Sequence, residues 1–461
     1  MSELQTAPVP RRNFELLLLV LALGVGFAAF YLIGTATEET DRSGFVLEMG
    51  ILSGLALLVH ILLRLFAKYS DPVILPITIA LNSLGLAMIY RLDLAKSTEQ
   101  SFRQLLWTGI AMLIAAVVMW AVRDHRNLRR FTYIALLASI VLLLLPMIPG
   151  LGVTINGARI WIRVAGFSLQ PGELAKITLS IFFAGYLSSN RDLILMAGRK
   201  VGPMQLPRMR DMAPMVVAWI LSIGVLVVQR DLGSSILFFG LFIVMIYVAT
   251  ARISWVVIGL LMVAVGGVFA ATTMSHVTRR LTTWLDAFNP DIYYATGGSM
   301  QIVEGLFGMA DGGLIGTGLG NGSPYRVPLA NSDMIVASFG EELGLIGVAA
   351  IIMLYLLLVS RGLRAALGSR DSFGKLLATG LSFTMALQCI VIIGGVTRLI
   401  PLTGLATPFM AAGGSSLLAN WIIVALLLLI SHNSRRPMTG HVGPTDEVAT
   451  PGASDPKAVK S

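Results

Sequence analysis

Charged residues and cysteine are scarce in this chain of 461 residues. Only 13% of the residues are charged, whereas 56% are hydrophobic and the mean hydropathy is +0.80. Soluble domains carry about 25% charged residues, so this composition excludes an ordinary soluble protein and indicates a polytopic membrane protein. The single cysteine, Cys389, lies within an apolar run, which excludes a disulfide framework.

Signals for metal, nucleotide and nucleic-acid binding are also missing. The five histidines are far apart and have no metal-ligand spacing. No P-loop or dinucleotide fingerprint is present, so we expect no organic cofactor. The formal net charge is +9, but the basic residues are spread over connecting loops and no soluble basic domain is long enough to bind nucleic acid.

Apolar runs of about 17 to 25 residues, the length that crosses a hydrocarbon core, dominate the chain. They predict an all-α fold: a polytopic integral membrane helical bundle of about 12 spans with one large extracellular loop. The runs near 172 and 213 are short, so tilted or half-embedded helices are alternatives there. The runs lie near residues 14–34, 45–66, 72–90, 104–122, 131–148, 172–188, 213–228, 232–250, 254–272, 335–359, 376–393 and 415–431.

The basic residues predict the orientation, because Lys and Arg are retained on the cytoplasmic side of a membrane. With the N-terminus inside, three basic clusters fall on the cytoplasmic side, and an even number of spans returns the C-terminus to that side. The clusters are Arg123, Arg126, Arg129 and Arg130; Arg191, Arg199, Lys200, Arg208 and Arg210; and Arg361, Arg364, Arg370 and Lys375.

Three segments outside the spans have distinct predicted roles. Residues 433–461 are rich in Pro, Gly, Ser and charge, which predicts a disordered cytoplasmic tail. The segment from about 273 to 332 is the long outer loop, and its aromatic residues favour a folded lid or platform on the membrane surface. Residues 149–171, with Trp161 between Arg159 and Arg163, are predicted to lie at the membrane interface.

Five short motifs occur in a fixed order along the second part of the chain. They read N-G-A-R-I-W-I at 156–162, Q-P-G-E-L-A-K at 170–176, Q-R-D-L-G-S-S at 229–235, D-M-I-V-A-S-F-G-E-E-L-G at 333–344 and T-G-L-A-T-P-F-M-A-A-G-G-S-S at 403–416. Together they resemble the signatures of the SEDS family of glycosyltransferases, which includes RodA, FtsW and SpoVE. Departures include Gly172, Arg230 and Ser332, where the family has Ser, Pro and Thr, and Leu329, where it has an acid.

The resemblance implies a ten-span core that begins near Pro72. Residues 1–71 would then be a cytoplasmic N-terminus with two additional transmembrane helices. Residues 72–432 would be the glycosyltransferase core, with its long outer loop at about 273–334, and residues 433–461 the tail.

The resemblance also implies a function: an inverting glycosyltransferase that polymerises lipid II into peptidoglycan strands at the outer face of the bacterial cytoplasmic membrane. It implies a class B penicillin-binding protein as a partner, together with other cell-wall elongation or division proteins. A divalent cation, Mg²⁺ or Mn²⁺, is plausible because departure of a pyrophosphate benefits from one. No dedicated ligand cluster is visible in the sequence, so no metal-binding residue is predicted.

Asp333 is the candidate catalytic base, because it is an acid at the outer start of a long apolar helix and matches the key aspartate of the family. A helix N-terminus there would favour its ionised form. The alternative is purely structural: Ser332 caps the helix and Asp333 complements its dipole. Glu341 and Glu342, two turns deeper, are expected to organise packing or a polar cavity.

Glu173 and Lys176 are three residues apart on one helix face. Lys176 can contact pyrophosphate while Glu173 orients it or helps to hold a metal, or the two residues simply neutralise each other. Arg159 and Arg163 can hold phosphate bidentately or bind lipid headgroups. The glycines of 312–322 can form an anion-binding nest or a flexible loop. The remaining substrate-binding candidates, for which the motifs give no separate role, are Trp161, Gln170, Asp231, Ser332 and Ser415.

Two other kinds of function remain open. A transporter that flips lipid II or moves a solute would also have many helices with Gly and Pro breaks, but it should place ionisable residues near the midplane in two related halves. A catalytically idle scaffold would tolerate Asp333→Ala. Between elongation and division homologues, the short tail and the residues around 229–250 favour an elongation protein over an FtsW-like septum polymerase.

Overall fold

The computed structural model describes residues 10–38, 43–155, 157–164, 166–196, 198–201, 204–207 and 209–437. The predicted tail, residues 433–461, begins inside the last helix, because residues 433–435 are helical, and its residues beyond 437 lie outside the described ranges. The first helices are α1 Arg12–Ala36, α2 Ser43–Phe66, α3 Ile74–Lys96, α4 Gln100–Val122, α5 Thr132–Leu144, α6 Pro171–Met196 and α7 Met209–Val228. They are followed by α8 Leu232–Thr250, α9 Ser254–Thr273, α10 Ser275–Leu285, α11 Pro290–Tyr293, α12 Met300–Gly312, α13 Ile335–Gly368, α14 Ser372–Val396 and α15 Gly414–Arg435.

Within the described residues, ten helices are long and apolar enough to cross a membrane. The helical membrane fold is therefore as predicted. The two short runs near 172 and 213 correspond to α6 and α7, which do not meet the same criteria; the apolar part of α7 is only 213–228. All twelve predicted runs thus coincide with helices, but ten of these helices qualify as spans by length and composition.

Short strands are a feature that the all-α prediction did not include. The strands β1 Gly152–Ile155, β2 Ala158–Val164 and β3 Phe167–Leu169 form an antiparallel sheet in the order β1-β2-β3. Gly157 and Gly166, both with positive φ, lie in the turns between them. Alternating β-branched and polar residues in β2 favour an extended chain. A second hairpin pairs β4 Gly198–Val201 with β5 Met204–Pro207.

The two N-terminal helices pack on the first helices of the core: α1 lies against α3, and α2 lies against α4. Their connection to the core is buried, because Asp71 is fully inaccessible and accepts a 2.5 Å hydrogen bond from Arg435. Its backbone N–H donates to Ser431 Oγ at 3.0 Å. Arg361 lies 3.8 Å from the same carboxylate. The addition is therefore locked to the ends of α13 and α15.

Burial differs greatly among the spans. The apolar windows of α3 and α15 are 100% and 83% buried, so these helices form the centre of the bundle. By contrast, only 6% of the apolar window of α9 is buried. Helix α9 therefore exposes apolar side chains on nearly all sides and leads directly into the outer loop that begins with α10.

The outer loop is folded, in agreement with the predicted platform. Helices α10, α11 and α12 form within it, and its second part returns to the start of α13. The loop docks on the segment between α14 and α15: Trp284 Nε1 donates to the carbonyl of Arg398 at 3.0 Å, and Arg398 Nε donates to the carbonyl of Trp284 at 2.8 Å. The two outer segments therefore form one layer over the bundle.

The glycine-rich segment, residues 312–323, wraps around a break in α13. Gly344 has φ 68° and ψ −171° inside this helix, so the helical backbone is interrupted there. The N–H groups of Leu345 and Ile346 donate to the carbonyls of Gly313 and Leu314 at 3.0 and 3.1 Å. Consequently, α13 consists of a short outer section that follows Asp333 and a long section below the break.

Two acids in α13 hold the glycine-rich segment in place. Glu342 Oε2 accepts a hydrogen bond from the N–H of Gly320 at 3.0 Å, and Oε1 accepts one from Arg91 Nε at 3.0 Å. Glu341 Oε1 accepts a hydrogen bond from the N–H of Ser323. These contacts match the expected organising role of both acids. The N–H of Gly320 thus faces a carboxylate of the protein itself and does not form an open anion-binding nest.

Candidate active site

Asp333 lies at the bundle end formed by the starts of α6, α8, α13 and α15. It precedes α13 by two residues, because the first helical residue is Ile335 and the N-cap position is Met334, which makes no side-chain cap. Ser332 therefore does not cap the helix; its hydroxyl donates to Asp333 Oδ1 at 2.9 Å. The alternative prediction that Ser332 caps this helix is therefore wrong. The half-buried Asp333 side chain remains available to a ligand.

The carboxyl of Asp333 faces the backbone of Gly404. A Cβ built on Gly404 would lie 3.4 Å from Asp333 Oδ2, and Gly404 has φ 77°, which few other residues adopt. Burial raises the pKa of Asp333, while the hydroxyl of Ser332 and the charge of Arg280 lower it, and the net direction is upward. A raised pKa makes the carboxylate a stronger base, in contrast to the expectation from a helix N-terminus.

Arg280 on α10 brings a positive charge to this carboxyl. Its Nη1 donates to the carbonyls of Leu402 and Thr403 at 3.1 and 2.9 Å, so the side chain crosses from the outer loop to the segment that holds Gly404. Its charge lowers the pKa of both Asp231 and Asp333, so Arg280 interacts electrostatically with both carboxyl groups. Burial in turn lowers the pKa of Arg280.

Glu173 and Lys176 form the ion pair that their spacing predicts. Lys176 Nζ lies 2.7 Å from Glu173 Oε2, and both side chains are almost completely buried, at 2% and 4% exposure. Lys176 Nζ also donates to Gln388 Oε1 at 3.0 Å, and Gln388 Nε2 donates to the carbonyl of Ala406 at 2.8 Å. The pair therefore connects α6 through α14 to the same segment that carries Gly404.

Asp231 caps the start of α8 and has one unused oxygen. Its Oδ1 accepts a hydrogen bond from the N–H of Ser234 at 3.0 Å, as expected for an N-cap aspartate. Its Oδ2 is buried and has no hydrogen-bond partner in the described residues. Burial and the nearby charge of Glu173 raise the pKa of Asp231. The structural role is present, and the charge of Glu173 acts on this carboxyl from the Glu173–Lys176 pair.

Ser415 and Gln170 meet beside these residues. The N–H of Gln170 donates to Ser415 Oγ at 3.1 Å, which ties the end of β3 to the start of α15. Nearby, Gln104 of α4 donates to the carbonyl of Ala411 and accepts from the N–H of Gly413, at 3.0 and 3.2 Å. The segment 403–414 is therefore fixed from several helices, as a site that must hold a precise geometry requires.

Arg159, Trp161 and Arg163 lie apart from this cluster in β2. They alternate along the strand, so they share one face of the small sheet. Arg159 donates to the carbonyl of Ile148 at 3.4 Å, and Arg163 is exposed. In the described residues, no hydrogen bond or ion pair joins any of the three to Asp333, Glu173 or Lys176.

Two residues of the cluster were absent from the sequence predictions. Arg280 belongs to the long outer loop, where several arginines occur and no motif separates one from another. Gln388 is a polar residue in an apolar run of α14, and its 0% exposure marks it as a buried polar group that needs partners. Its position inside a span was a usable signal, since polar residues within spans are often functional.

Known proteins share the sequence pattern and the fold of this chain. The sequence model of the cell cycle protein family FtsW/RodA/SpoVE matches residues 72–436. The chain belongs to the FtsW/RodA/SpoVE family. The peptidoglycan glycosyltransferase RodA of Mycobacterium tuberculosis is 49% identical over 445 residues, which cover 94% of this chain and 93% of that protein. The corresponding protein of Mycobacterium leprae is 46% identical and covers 96% of both chains.

Other members of the FtsW/RodA/SpoVE family are more distant. Stage V sporulation protein E of Bacillus subtilis is 33% identical over 79% of this chain and 98% of its own length. Among solved structures, a chain of a peptidoglycan synthase complex superposes with a TM-score of 0.65 at 24% identity, over 79% of this chain and 98% of that one. The rod shape determining protein RodA of Thermus thermophilus gives 0.55 at 24% identity, over 78% and 96%. These two likenesses show the shared fold.

Proposed function

We infer that this protein is a peptidoglycan glycosyltransferase that polymerises lipid II at the outer face of the bacterial cytoplasmic membrane during elongation. Its membership of the family and its long match to proteins named RodA support the activity and the choice of an elongation enzyme over an FtsW-like division enzyme. The observation that carries the chemistry is the half-buried Asp333, whose pKa is raised and which faces Arg280 across Gly404. The basic clusters support cytoplasmic termini.

In the reaction, a sugar hydroxyl of the acceptor attacks the anomeric carbon of the donor. The new C–O bond forms as the bond from that carbon to the pyrophosphate breaks, and the pyrophosphate leaves with the electron pair. Asp333 accepts the proton of the attacking hydroxyl, for which a raised pKa is an advantage. Displacement at one face inverts the anomeric centre.

The leaving pyrophosphate carries negative charge, which nearby cations stabilise. Arg280 donates to the carbonyl of Thr403, and Lys176 is linked through Gln388 to the carbonyl of Ala406, so both cations adjoin the segment 403–406 and supply this charge from fixed positions. Glu173 and Gln388 hold the Lys176 ammonium, so its position does not depend on substrate. A polyprenyl chain that stays in the bilayer can pack against the exposed apolar surface of α9.

A divalent cation fits one part of this site. In the described residues, no group of three or more His, Cys, Asp and Glu side chains could enclose a metal. Mg²⁺, however, is often bound by one or two carboxylates plus substrate phosphates. The unpartnered Oδ2 of Asp231, beside Glu173, supplies such a carboxylate. When bound there, Mg²⁺ or Mn²⁺ would neutralise the departing pyrophosphate.

Two partners belong to this proposal. Lipid II is the donor and acceptor. A class B penicillin-binding protein supplies the crosslinking, since the sequence contains neither the K-T-G nor the S-D-N motif that a transpeptidase combines with S-x-x-K. The fold match to a chain of a peptidoglycan synthase complex supports an assembly of this kind.

The transporter alternative has less support. The acids and cations of the cluster lie at one end of the bundle, at the starts of α6, α8 and α13, and not near the midplane of two related halves. A flippase needs no general base, and an idle scaffold would not need the close approach of Asp333 to Gly404.

The direct test is synthesis of glycan chains from purified lipid II by the protein together with its class B penicillin-binding protein. Asp333→Asn keeps the shape but removes the base, so we expect polymer synthesis to fall by about 100-fold or more. Asp311→Asn, an exposed aspartate on α12, is the matched control and should retain activity. The product is measured by gel electrophoresis of labelled glycan.

Equal polymer from wild type and Asp333→Asn, with both proteins folded, would remove Asp333 from the mechanism. No polymer from wild type, with translocation of lipid II in vesicles, would support the flippase.

A further inference from the structure

A pocket of about 530 Å³ opens beside α10. Its walls are α10 and residues 291–298, which include most of α11 and the turn after it. The volume lies within the range of small-ligand sites, about 300 to 1,000 Å³. Six of the nine lining residues have polar or charged side chains: Ser275, Thr278, Arg279, Thr282, Thr283 and Asp291. The mechanism above uses none of these residues.

The pocket is tied to the active site through adjacent residues of one helix. Arg280 points toward the carbonyls of Leu402 and Thr403, whereas Arg279, the preceding residue, lines the pocket. Successive residues of an α-helix are about 100° apart, so the two arginines serve different faces. The pocket and the contact with the segment that holds Gly404 are therefore on different faces of the same helix.

Arg279 is free to bind a ligand. It forms no hydrogen bond or ion pair with the rest of the described chain, and it is exposed. Its guanidinium lies over Gly297: a Cβ at that position would be 2.6 Å from Nη2, and Gly297 has φ 67°. The absent side chain at Gly297 thus provides the space that the guanidinium occupies at the rim of the pocket.

The pocket is held open by its own backbone. The N–H of Gly298 donates to the carbonyl of Ala295 at 2.8 Å, and the N–H of Ser299 donates to that of Ile292 at 3.2 Å. Ser299 Oγ also bonds to the carbonyl of Ala287 at 2.5 Å. A wall fixed in this way needs little reordering on binding, which favours affinity.

The chemistry of the lining selects among ligands. Thr278 and Thr282 donate their hydroxyl protons to carbonyls of the chain, so their oxygens face a ligand as acceptors, while Arg279 supplies donors. Asp291 would repel a lipid phosphate, but sugar hydroxyls can donate to it.

We propose that this pocket binds a saccharide unit of the growing glycan strand, adjacent to the unit that reacts at Asp333. The proposal rests on the proposed polymerase function. A second binding site for the strand would keep the product bound between successive additions. It would therefore affect the length of the product more than the rate at which the first bond forms.

Binding tests the proposal without requiring activity. The probe is a tetrasaccharide of alternating N-acetylglucosamine and N-acetylmuramic acid, and its binding to Asp333→Asn protein in nanodiscs is measured by saturation-transfer NMR. Arg279→Gln and Thr282→Val in that background should each weaken binding, Arg279→Gln by about tenfold or more. Arg326→Gln, an exposed arginine of the same outer loop outside the pocket, should bind as the parent does.

Polymerisation provides the second measurement. Arg279→Gln in the otherwise wild-type enzyme should give shorter glycan strands while the formation of the first bond keeps its rate. Failure of the tetrasaccharide to bind, or binding that both pocket variants retain in full, would overturn the proposal. If wild-type protein makes no polymer but binds the tetrasaccharide through Arg279, the polymerase function fails and the saccharide site stands.

Discussion

The pKa of Asp333 depends on the residues around it. Its raised pKa arises from burial, which the charge of Arg280 partly offsets. The sequence identified the aspartate through its motif but not this balance, because a linear pattern does not show which of several loop arginines lies beside it. The spacing of Glu173 and Lys176, in contrast, was sufficient to predict their contact, since neighbours on a helix face meet without help from the tertiary fold.

Removal of the Arg280 charge should change the pH dependence of polymerisation. The base must be deprotonated, so activity falls as the pH drops through its pKa. In Arg280→Gln the pKa of Asp333 loses a lowering influence and rises, and the acidic limb of kcat/KM should move to higher pH. A pH profile of glycan synthesis measures this.

Arg398→Gln is the matched control for that profile. It also loses hydrogen bonds to outer-loop carbonyls, those of Trp284 and Leu285, but its charge is not among those that shift the pKa of Asp333. An equal shift in both variants would assign the effect to loop disorder, and an unchanged limb in Arg280→Gln would contradict the electrostatic role.

At the scale of elements, hydrophobic runs predicted the helices because a span must be apolar over most of its length. They did not predict where a helix is interrupted or where a strand forms. Gly344 lies within the apolar run predicted at 335–359. The break in the helix is visible only in the backbone angles of Gly344 and in the contacts with the glycine-rich segment. The seven residues of β2 alternate as the residues of a strand do, but an interfacial loop was predicted for them.

Gly344→Ala should disturb the outer section of α13. A Cβ there would lie 2.3 Å from the N atom of Gly316, and φ 68° is strained for alanine. We expect a destabilisation of about 1–3 kcal/mol, together with faster hydrogen exchange in residues 313–323 and lower polymer synthesis. Gly224→Ala, where a Cβ meets no atom within 4 Å, is the control. Equal exchange in the two variants would show that the break does not depend on Gly344.

For the whole molecule, the sequence predicted the helical bundle and an N-terminal addition, but not how the addition is attached. The attachment involves residues more than 350 positions apart, such as Asp71 and Arg435, and spacing carries no information about such pairs. The division at residue 71 itself stays a prediction. The contacts explain how two helices outside the matched region can pack tightly on the core.

Asp71→Asn should weaken this attachment. It would leave Arg435 and Arg361 without their buried carboxylate, at a cost of about 2 kcal/mol given their partial exposure. The melting temperature of the protein in detergent should fall by several degrees. Asp311→Asn again serves as the exposed control, and a melting temperature equal to that of the control would show that the pairs contribute little.

The lock at Asp71 and the carboxyl of Asp333 lie at opposite ends of α13. Arg361, the α13 residue beside Asp71, follows Asp333 by 28 positions, so Asp71 and Asp333 are separated by about 40 Å along the helix axis. In mechanical terms α13 is a strut held at both ends, by the Asp71 contact at one end and by the glycine-rich segment at the other. We expect a load on the outer end of α13 to act first at Gly344, where the helical backbone is interrupted.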